Sequence, residues 1–297
     1  MNKIKFIFIL IVTSVITGCT LTKDKEFAPI DESGYTLLHT DFKALKFSED
    51  PLRWPKDSCI GVFGTEMGYN EAYVIKNAYV ERSQAIFYGP LVKGQIAAYY
   101  PYDSSYIGDA DAMPMNLEAD QAYDADLKAM YLKYNPTAFA HLSDGKMDFY
   151  YPTGLLSLQL GFPEAETVKK LRLDSQTTGL SGLGVVSGDG TVQMTESASR
   201  YVTLDCGEGL VTMGKGDVLT SFPMVLLPGT YDDLQASVYL EGSEQPFVCK
   251  LPEVVIEKID ASANQMQLTT ITVTLSQNGE EGPDGFVEEE VDRKSVV

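Results

Sequence analysis

The stretch Met147-Asp148-Phe149-Tyr150-Tyr151-Pro152-Thr153-Gly154-Leu155-Leu156-Ser157-Leu158-Gln159-Leu160-Gly161-Phe162-Pro163 carries the pattern that decides the fold. Two runs, Met147–Tyr150 and Leu155–Leu160, are separated by Pro152 and Gly154 and closed by Gly161 and Pro163. Runs of about four to eight residues with such boundaries read as β-strands, because a helix of this size would not bury a face. Proline brings no N–H to a ladder, and glycine takes backbone angles that other residues avoid, so each marks a strand end.

The same pattern repeats outward. Toward the amino end lie Phe42–Phe47, Ser58–Gly64, Ala72–Val80, Ala85–Tyr88 and Gln95–Tyr100. Toward the carboxy end follow Lys169–Leu173, Gly184–Val186, Tyr201–Leu204, Val218–Leu226, Leu234–Leu240, Phe247–Lys250 and Gln267–Leu275. Many short strands with Gly, Pro, Asp and Ser between them predict an all-β chain built from antiparallel sandwiches. One segment departs from this. In Asn116–Tyr134 the residues Leu117, Ala119, Ala122, Leu127, Met130 and Tyr131 recur at three- and four-residue steps, which predicts a short helical segment ending before Asn135-Pro136. At about 100 to 150 residues per domain the length predicts two domains, and Gly161-Phe162-Pro163 makes the junction. The expected units are 40–162 and 163–276.

The two ends read differently from the middle. Lys3 and Lys5 precede an apolar run from Phe6 to Val15, then Ile16-Thr17-Gly18-Cys19. That run is well short of the roughly 18 apolar residues a membrane span needs, and the lysines mark the cytoplasmic side of a signal peptide. The small Thr17-Gly18 pair leaves room for a peptidase, and the Cys19 thiol is where diacylglycerol would be attached. Residues 1–18 are therefore expected to be a lipoprotein signal, Cys19 the lipidation site, and 19–39 a lipidated flexible stalk that includes His39. Several acyl chains give lasting anchorage. Residues 277–297, rich in Gly, Glu and Asp, read as an acidic disordered tail.

The formal charge is −19, and loss of Lys3 and Lys5 with the signal takes it to −21. Such a body does not bind nucleic acid or anionic lipid through general electrostatics, so the lipid must do the holding. Beside Cys19 the chain has Cys59, Cys206 and Cys249. A bridge between Cys206 and Cys249, both in strand-like runs, fits an oxidising envelope; the alternative is that all three are small buried apolar residues. No Cys-x-x-Cys pair occurs, which argues against a structural zinc site.

Motifs that could carry chemistry fall short. Gly209-Leu210-Val211-Thr212-Met213-Gly214-Lys215 has the spacing of a phosphate loop, but Gly216 stands where the magnesium-binding hydroxyl belongs. Gly179-Leu180-Ser181-Gly182-Leu183-Gly184 is not followed by a helix pattern and reads as a turn. Only His39 and His141 could serve as an imidazole base, so nucleophilic hydrolysis is not expected. Asp109, Asp111, Glu118, Asp120, Asp124 and Asp126 lack the register of a calcium loop and read as solvated carboxylates. No cofactor, metal or catalytic residue is assigned. Arg53 lies in the proline-bounded loop Ser48–Lys56; it is either a site of proteolytic processing or a cation stacked on an aromatic such as Trp54.

Several segments together resemble the fimbrillin family of Bacteroidetes surface lipoproteins, the fimbrial subunits and their anchors. They are Lys56-Asp57-Ser58-Cys59-Ile60-Gly61-Val62-Phe63-Gly64, Ala97-Ala98-Tyr99-Tyr100-Pro101-Tyr102, Asp124-Ala125-Asp126-Leu127, His141 ahead of Leu155-Leu156-Ser157-Leu158, and Met224-Val225-Leu226-Leu227-Pro228-Gly229-Thr230-Tyr231. The resemblance implies two tandem transthyretin-like β-sandwiches with Greek-key topology, display on the outer membrane, and no enzymatic activity. It also implies cleavage by a trypsin-like protease after Arg53, release of the lipidated strand, and insertion of a donor strand from another fimbrial subunit. The acidic tail differs from the apolar carboxy-terminal region of polymerising subunits and leaves stalk, tip, anchor and stand-alone roles open. A non-polymerising glycan-binding lipoprotein is the alternative, with Tyr99, Tyr100, Tyr102 and Tyr106 stacking on sugar rings; a host protein or glycan would be the ligand.

Overall fold

The computed structural model describes residues 35–42, 52–162, 164–188, 190–212, 219–256 and 268–274. The signal, Cys19, the stalk up to residue 34, Pro163, Gly214-Lys215 and the acidic tail lie outside the described residues. The elements of the first half are β1 (Thr36–Phe42), β2 (Cys59–Gly64), β3 (Glu71–Ile75), β4 (Gln84–Gly89), β5 (Ile96–Tyr100), β6 (Ala112–Leu117), β7 (Asp120–Ala122), α1 (Leu127–Tyr134), β8 (Ala138–Ser143), β9 (Lys146–Phe149) and β10 (Gly154–Gly161). The second half adds β11 (Thr167–Asp174), β12 (Gly182–Ser187), β13 (Val192–Met194), β14 (Tyr201–Val211), β15 (Thr220–Leu226), β16 (Gly229–Tyr231), β17 (Gln235–Leu240), β18 (Phe247–Lys250), β19 (Val254–Ile256) and β20 (Leu268–Thr274). Among the described residues the chain is all-β apart from α1 and the 3-10 turn Asn77–Tyr79.

Seven strands of the first half close into a barrel in the order β1-β4-β3-β2-β5-β8-β9, and the ring is sealed where β1 runs parallel to β9. This closed barrel stands where an open sandwich was expected. Closure leaves no free edge, and inward side chains fill the lumen. Phe42, Trp54, Phe87 and Phe149 do so here, all buried.

The other strands form a five-stranded sheet, β18-β17-β11-β14-β7, two three-stranded sheets, β15-β10-β20 and β13-β12-β6, and the pair β16-β19. Pairing crosses the expected junction at residues 162 and 163. Strand β10, read as the last strand of the first unit, lies between β15 and β20. Strand β6 pairs with β12, and β7 runs parallel to β14.

Two other expectations are corrected. Residues 36–39, allotted to the stalk, belong to β1, and His39 pairs with Ile86 and Lys146; of the expected strand Phe42–Phe47 only Phe42 is described. The helical segment expected over 116–134 is confined to Leu127–Tyr134. The Asp126 carboxylate accepts from the N–H groups of Lys128 and Ala129 and so starts the helix there. Upstream, the alternating burial of Met113, Met115 and Leu117 is that of a strand.

Candidate functional site

Strand β1 is the seam of the barrel. Leu38, Thr40 and Phe42 point inward and are buried, while Leu37 and His39 point out. Its register runs antiparallel against β4 from Thr36 opposite Gly89 to Asp41 opposite Gln84, and parallel against β9 from His39 opposite Lys146 to Phe42 opposite Phe149. Side chains pin both flanks: Thr40 Oγ1 donates to the Ala85 carbonyl at 3.3 Å, and Gln84 Nε2 donates to Asp41 Oδ2 at 3.3 Å. Lys146 Nζ sits 3.3 Å from Asp41 and 3.4 Å from Asp148. Slight desolvation lowers the Lys146 pKa, but the two carboxylates outweigh it and the net shift is upward.

The segment after β1 ends at a plug. Trp54 is fully buried, and its ring lies 4.0 Å from Phe42, 4.8 Å from Phe87, 5.1 Å from Tyr100 and 5.1 Å from Phe149. Its N–H donates to the Arg82 carbonyl, its carbonyl accepts from Glu81 N–H, and its indole N–H donates to the Ser83 carbonyl, each at 2.9 Å. Glu81 holds a φ of 60°, the left-handed turn that presents these groups. Arg53, one residue earlier, is exposed. Its Nη1 donates to the Glu81 carbonyl at 2.9 Å.

This barrel and its partner sheets have a counterpart among solved structures. The chain is similar to a candidate cell adhesion protein from Bacteroides ovatus, with 13% identity over 86% of this chain and 95% of that one and a TM-score of 0.50. The two share a fold. A candidate cell adhesion protein from Bacteroides uniformis aligns with 14% identity over 82% of this chain and 95% of its own, TM-score 0.46. A fimbrial anchor protein from Porphyromonas gingivalis aligns with 13% identity over 80% and 90%, TM-score 0.40. No protein-family model and no curated protein matches the sequence.

The remaining sequence candidates are scattered over this fold. The bridge weighed between Cys206 and Cys249 is not formed: both are free, buried thiols. They lie on β14 and β18, three strand spacings apart in one sheet, or about 14 Å, against the 7 Å limit between bridged Cα atoms. Burial pushes the Cys206 thiol up to about 12 and the Cys249 thiol up to about 11. The acidic residues serve turns and caps. Asp109 Oδ1 accepts from the N–H groups of Asp111 and Ala112, Asp124 from Asp126 N–H, and Asp126 caps α1. No group of three or more His, Cys, Asp or Glu able to hold a metal occurs among the described residues.

The tyrosines of the glycan reading are packed rather than presented. Tyr99 is 1% exposed and stacks on Tyr106 at 4.0 Å, while Tyr100 turns inward against Trp54. The role of β1 was missed by sequence reasoning, because Thr40 interrupts the apolar alternation of Leu38 and Phe42 and the run sits beside a presumed stalk.

Proposed function

We propose that this chain is a fimbrillin-type cell-surface lipoprotein, held at the outer membrane by lipid on Cys19. It acts as a structural or adhesive component of fimbriae and joins other fimbrial subunits by strand exchange after cleavage at Arg53. In this reading its halves, 40–162 and 163–276, stand for the two transthyretin-like units of such proteins, with β6, β7 and β10 of the first half paired to strands of the second. No catalytic role is proposed.

The observation that carries this reading is the order of β1, Arg53 and Trp54. Strand β1 completes the barrel, and everything before Trp54 could leave with it while the Trp54 plug stays. Its loss would leave backbone N–H and C=O groups of β4 and β9 unpaired and open a slot against Ala85, Phe87 and Met147. An incoming strand with the alternation of β1 would satisfy both, which is the physics of strand addition. The glycan alternative has less to stand on, since Tyr99 is buried and Tyr100, Tyr102 and Tyr106 are partly buried against the core.

The test is mass spectrometry of the amino terminus of the native protein in washed-cell and shear-released fractions. A terminus at Trp54 in released filaments is expected. A lipidated Cys19 terminus as the sole form in filaments would overturn strand exchange.

A further inference from the structure

Four of the large apolar residues exposed on the described surface, Met67 (48%), Tyr69 (61%), Leu91 (50%) and Ile107 (77%), sit on three segments that meet around the end of β2. The segments are 65–70, 90–95 and 101–111. Surface apolar groups scattered singly need no explanation, but a group on adjoining loops does.

These loops are bonded into one body. Met67 and Lys93 exchange two backbone hydrogen bonds, at 3.3 and 2.9 Å, and Glu66 N–H donates to the Lys93 carbonyl at 3.1 Å. Gly68, at a φ of 99°, lets Val92 lie directly over the turn. Asn70 Nδ2 reaches the third segment, donating to the carbonyls of Asp103 at 2.9 Å and Tyr106 at 3.1 Å. Beneath runs a ladder of rings, Tyr69 on Phe63 at 5.8 Å, Phe63 on Tyr106 at 6.0 Å and Tyr106 on Tyr99 at 4.0 Å. A surface held this way loses little conformational freedom when it is covered.

The chemistry selects the partner. Two hydroxyls beneath the patch are already used: Tyr99 Oη lies 2.7 Å from both Asn70 Oδ1 and the Asp103 carbonyl, and Tyr106 Oη donates to the Pro114 carbonyl at 2.6 Å. Charged residues at the rim are Glu66, Glu71 and Asp103 against Lys93, on a chain of net charge −19. The Ser105 hydroxyl and N–H hold the Asp103 carboxyl below its usual range, so the rim keeps its sign. A second copy of this chain, equally acidic, would be repelled. We infer that Met67, Tyr69, Leu91 and Ile107 form a docking surface for a different protein, one presenting an apolar patch with a basic border.

The inference shares with the adhesion reading only display at the cell surface, and its failure would leave cleavage at Arg53 untouched. The test is selection of a random peptide library on the full mature chain, with counter-selection on the Met67→Ser/Tyr69→Ser/Leu91→Ser variant, whose thermal midpoint is first matched to the parent. The commonest peptide is then synthesised and titrated against both. Expected is a peptide carrying apolar residues with Lys or Arg, bound more than about tenfold more weakly by the variant and weakened by salt. Equal affinity for both chains, or enrichment of acidic peptides, would overturn the inference. So would neutral-glycan binding lost on Tyr69→Ser, or a dimer in sedimentation that the variant abolishes.

Discussion

The side-chain amide of Gln121 takes the place of a strand against Val225: its Oε1 accepts from Val225 N–H at 2.9 Å, and its Nε2 donates to the Val225 carbonyl at 2.9 Å. Strand β15 has β10 on one side, and on the other Gln121 occupies the ladder position that a further strand would take. Two residues along the same edge stands Pro223, which has no N–H to offer. One plugged position and one missing donor make a poor template for another chain, a common way for sheets to avoid edge-to-edge pairing.

Gln121→Leu keeps much of the volume and removes both bonds. Gln121 is 1% exposed, so the Val225 N–H and carbonyl would be left without water as well as without a partner. At roughly 1–3 kcal/mol for each of the two orphaned groups, the loss in unfolding free energy should be about 2–6 kcal/mol. Urea titration followed by circular dichroism measures it; a loss below about 1 kcal/mol would mean that the edge finds other partners.

Arg53 and Trp54 are neighbours in sequence and opposites in energy. Trp54→Ala empties the centre of the ring cluster, and truncations of this size in a core cost roughly 3–5 kcal/mol. Arg53→Ala gives up one exposed hydrogen bond to the Glu81 carbonyl and should cost about 0.5 kcal/mol or less. The same substitution is expected to abolish trypsin cleavage at this bond while leaving the melting temperature in place. A large destabilisation by Arg53→Ala would make the residue a fold determinant instead.

Much of the strand pattern was legible in the sequence for a physical reason: a buried strand announces itself by apolar runs and by the residues that end them. Phe247–Lys250 is observed at the expected bounds, and Leu155–Leu160 extends by one residue at each end. What stayed hidden was long-range. Gln121, between Asp120 and Ala122, looks like any polar residue of a loop, and only the approach of β15 gives its amide a task. The short strand β7 has three residues, too few for a period, and exists because β14 lies beside it. The barrel seam was hidden likewise, since the parallel pairing of β1 with β9 joins residues over a hundred positions apart.

Asp233 should give stability a measurable pH dependence. Burial pushes its carboxyl pKa up, but hydrogen bonds from the Ser175 and Thr177 side chains and the backbone N–H groups of Thr177 and Gln176 outweigh this and lower it. Ser175 Oγ lies 2.8 Å from Oδ1, and Gln176 N, Thr177 N and Thr177 Oγ1 each lie 2.8 Å from Oδ2. With the folded pKa below the unfolded value of about 3.9, the contribution is present above that value and is lost as pH falls through the folded pKa. The stability gap between parent and Asp233→Ala should therefore be full at pH 7 and narrow below about pH 4. A gap independent of pH down to about 2 would show that the charged form is not what the loop holds.

The shared strands predict one cooperative unfolding transition in place of two. A fragment of residues 40–162 would carry β10 without β15 or β20, and β6 and β7 without β12 or β14. The complementary fragment would lose the ties that stitch 119–123 to β14. These are Thr203 N–H to the Ala119 carbonyl at 2.7 Å, Thr203 Oγ1 to Asp120 Oδ1 at 2.5 Å and Tyr123 N–H to the Asp205 carbonyl at 2.8 Å. Leu155, Leu156, Leu158 and Leu160 of β10, all fully buried, would face water in the first fragment, a penalty of roughly 1.5–3 kcal/mol each and comparable in sum to the stability of a whole domain. Neither fragment is then expected to fold alone. In the intact chain, fluorescence of the single tryptophan reports on the barrel, and far-ultraviolet circular dichroism reports on all strands. Coincident urea midpoints are expected from the two probes. Separated midpoints, or a folded 40–162 fragment, would mean that the halves are independent units merely touching along β10.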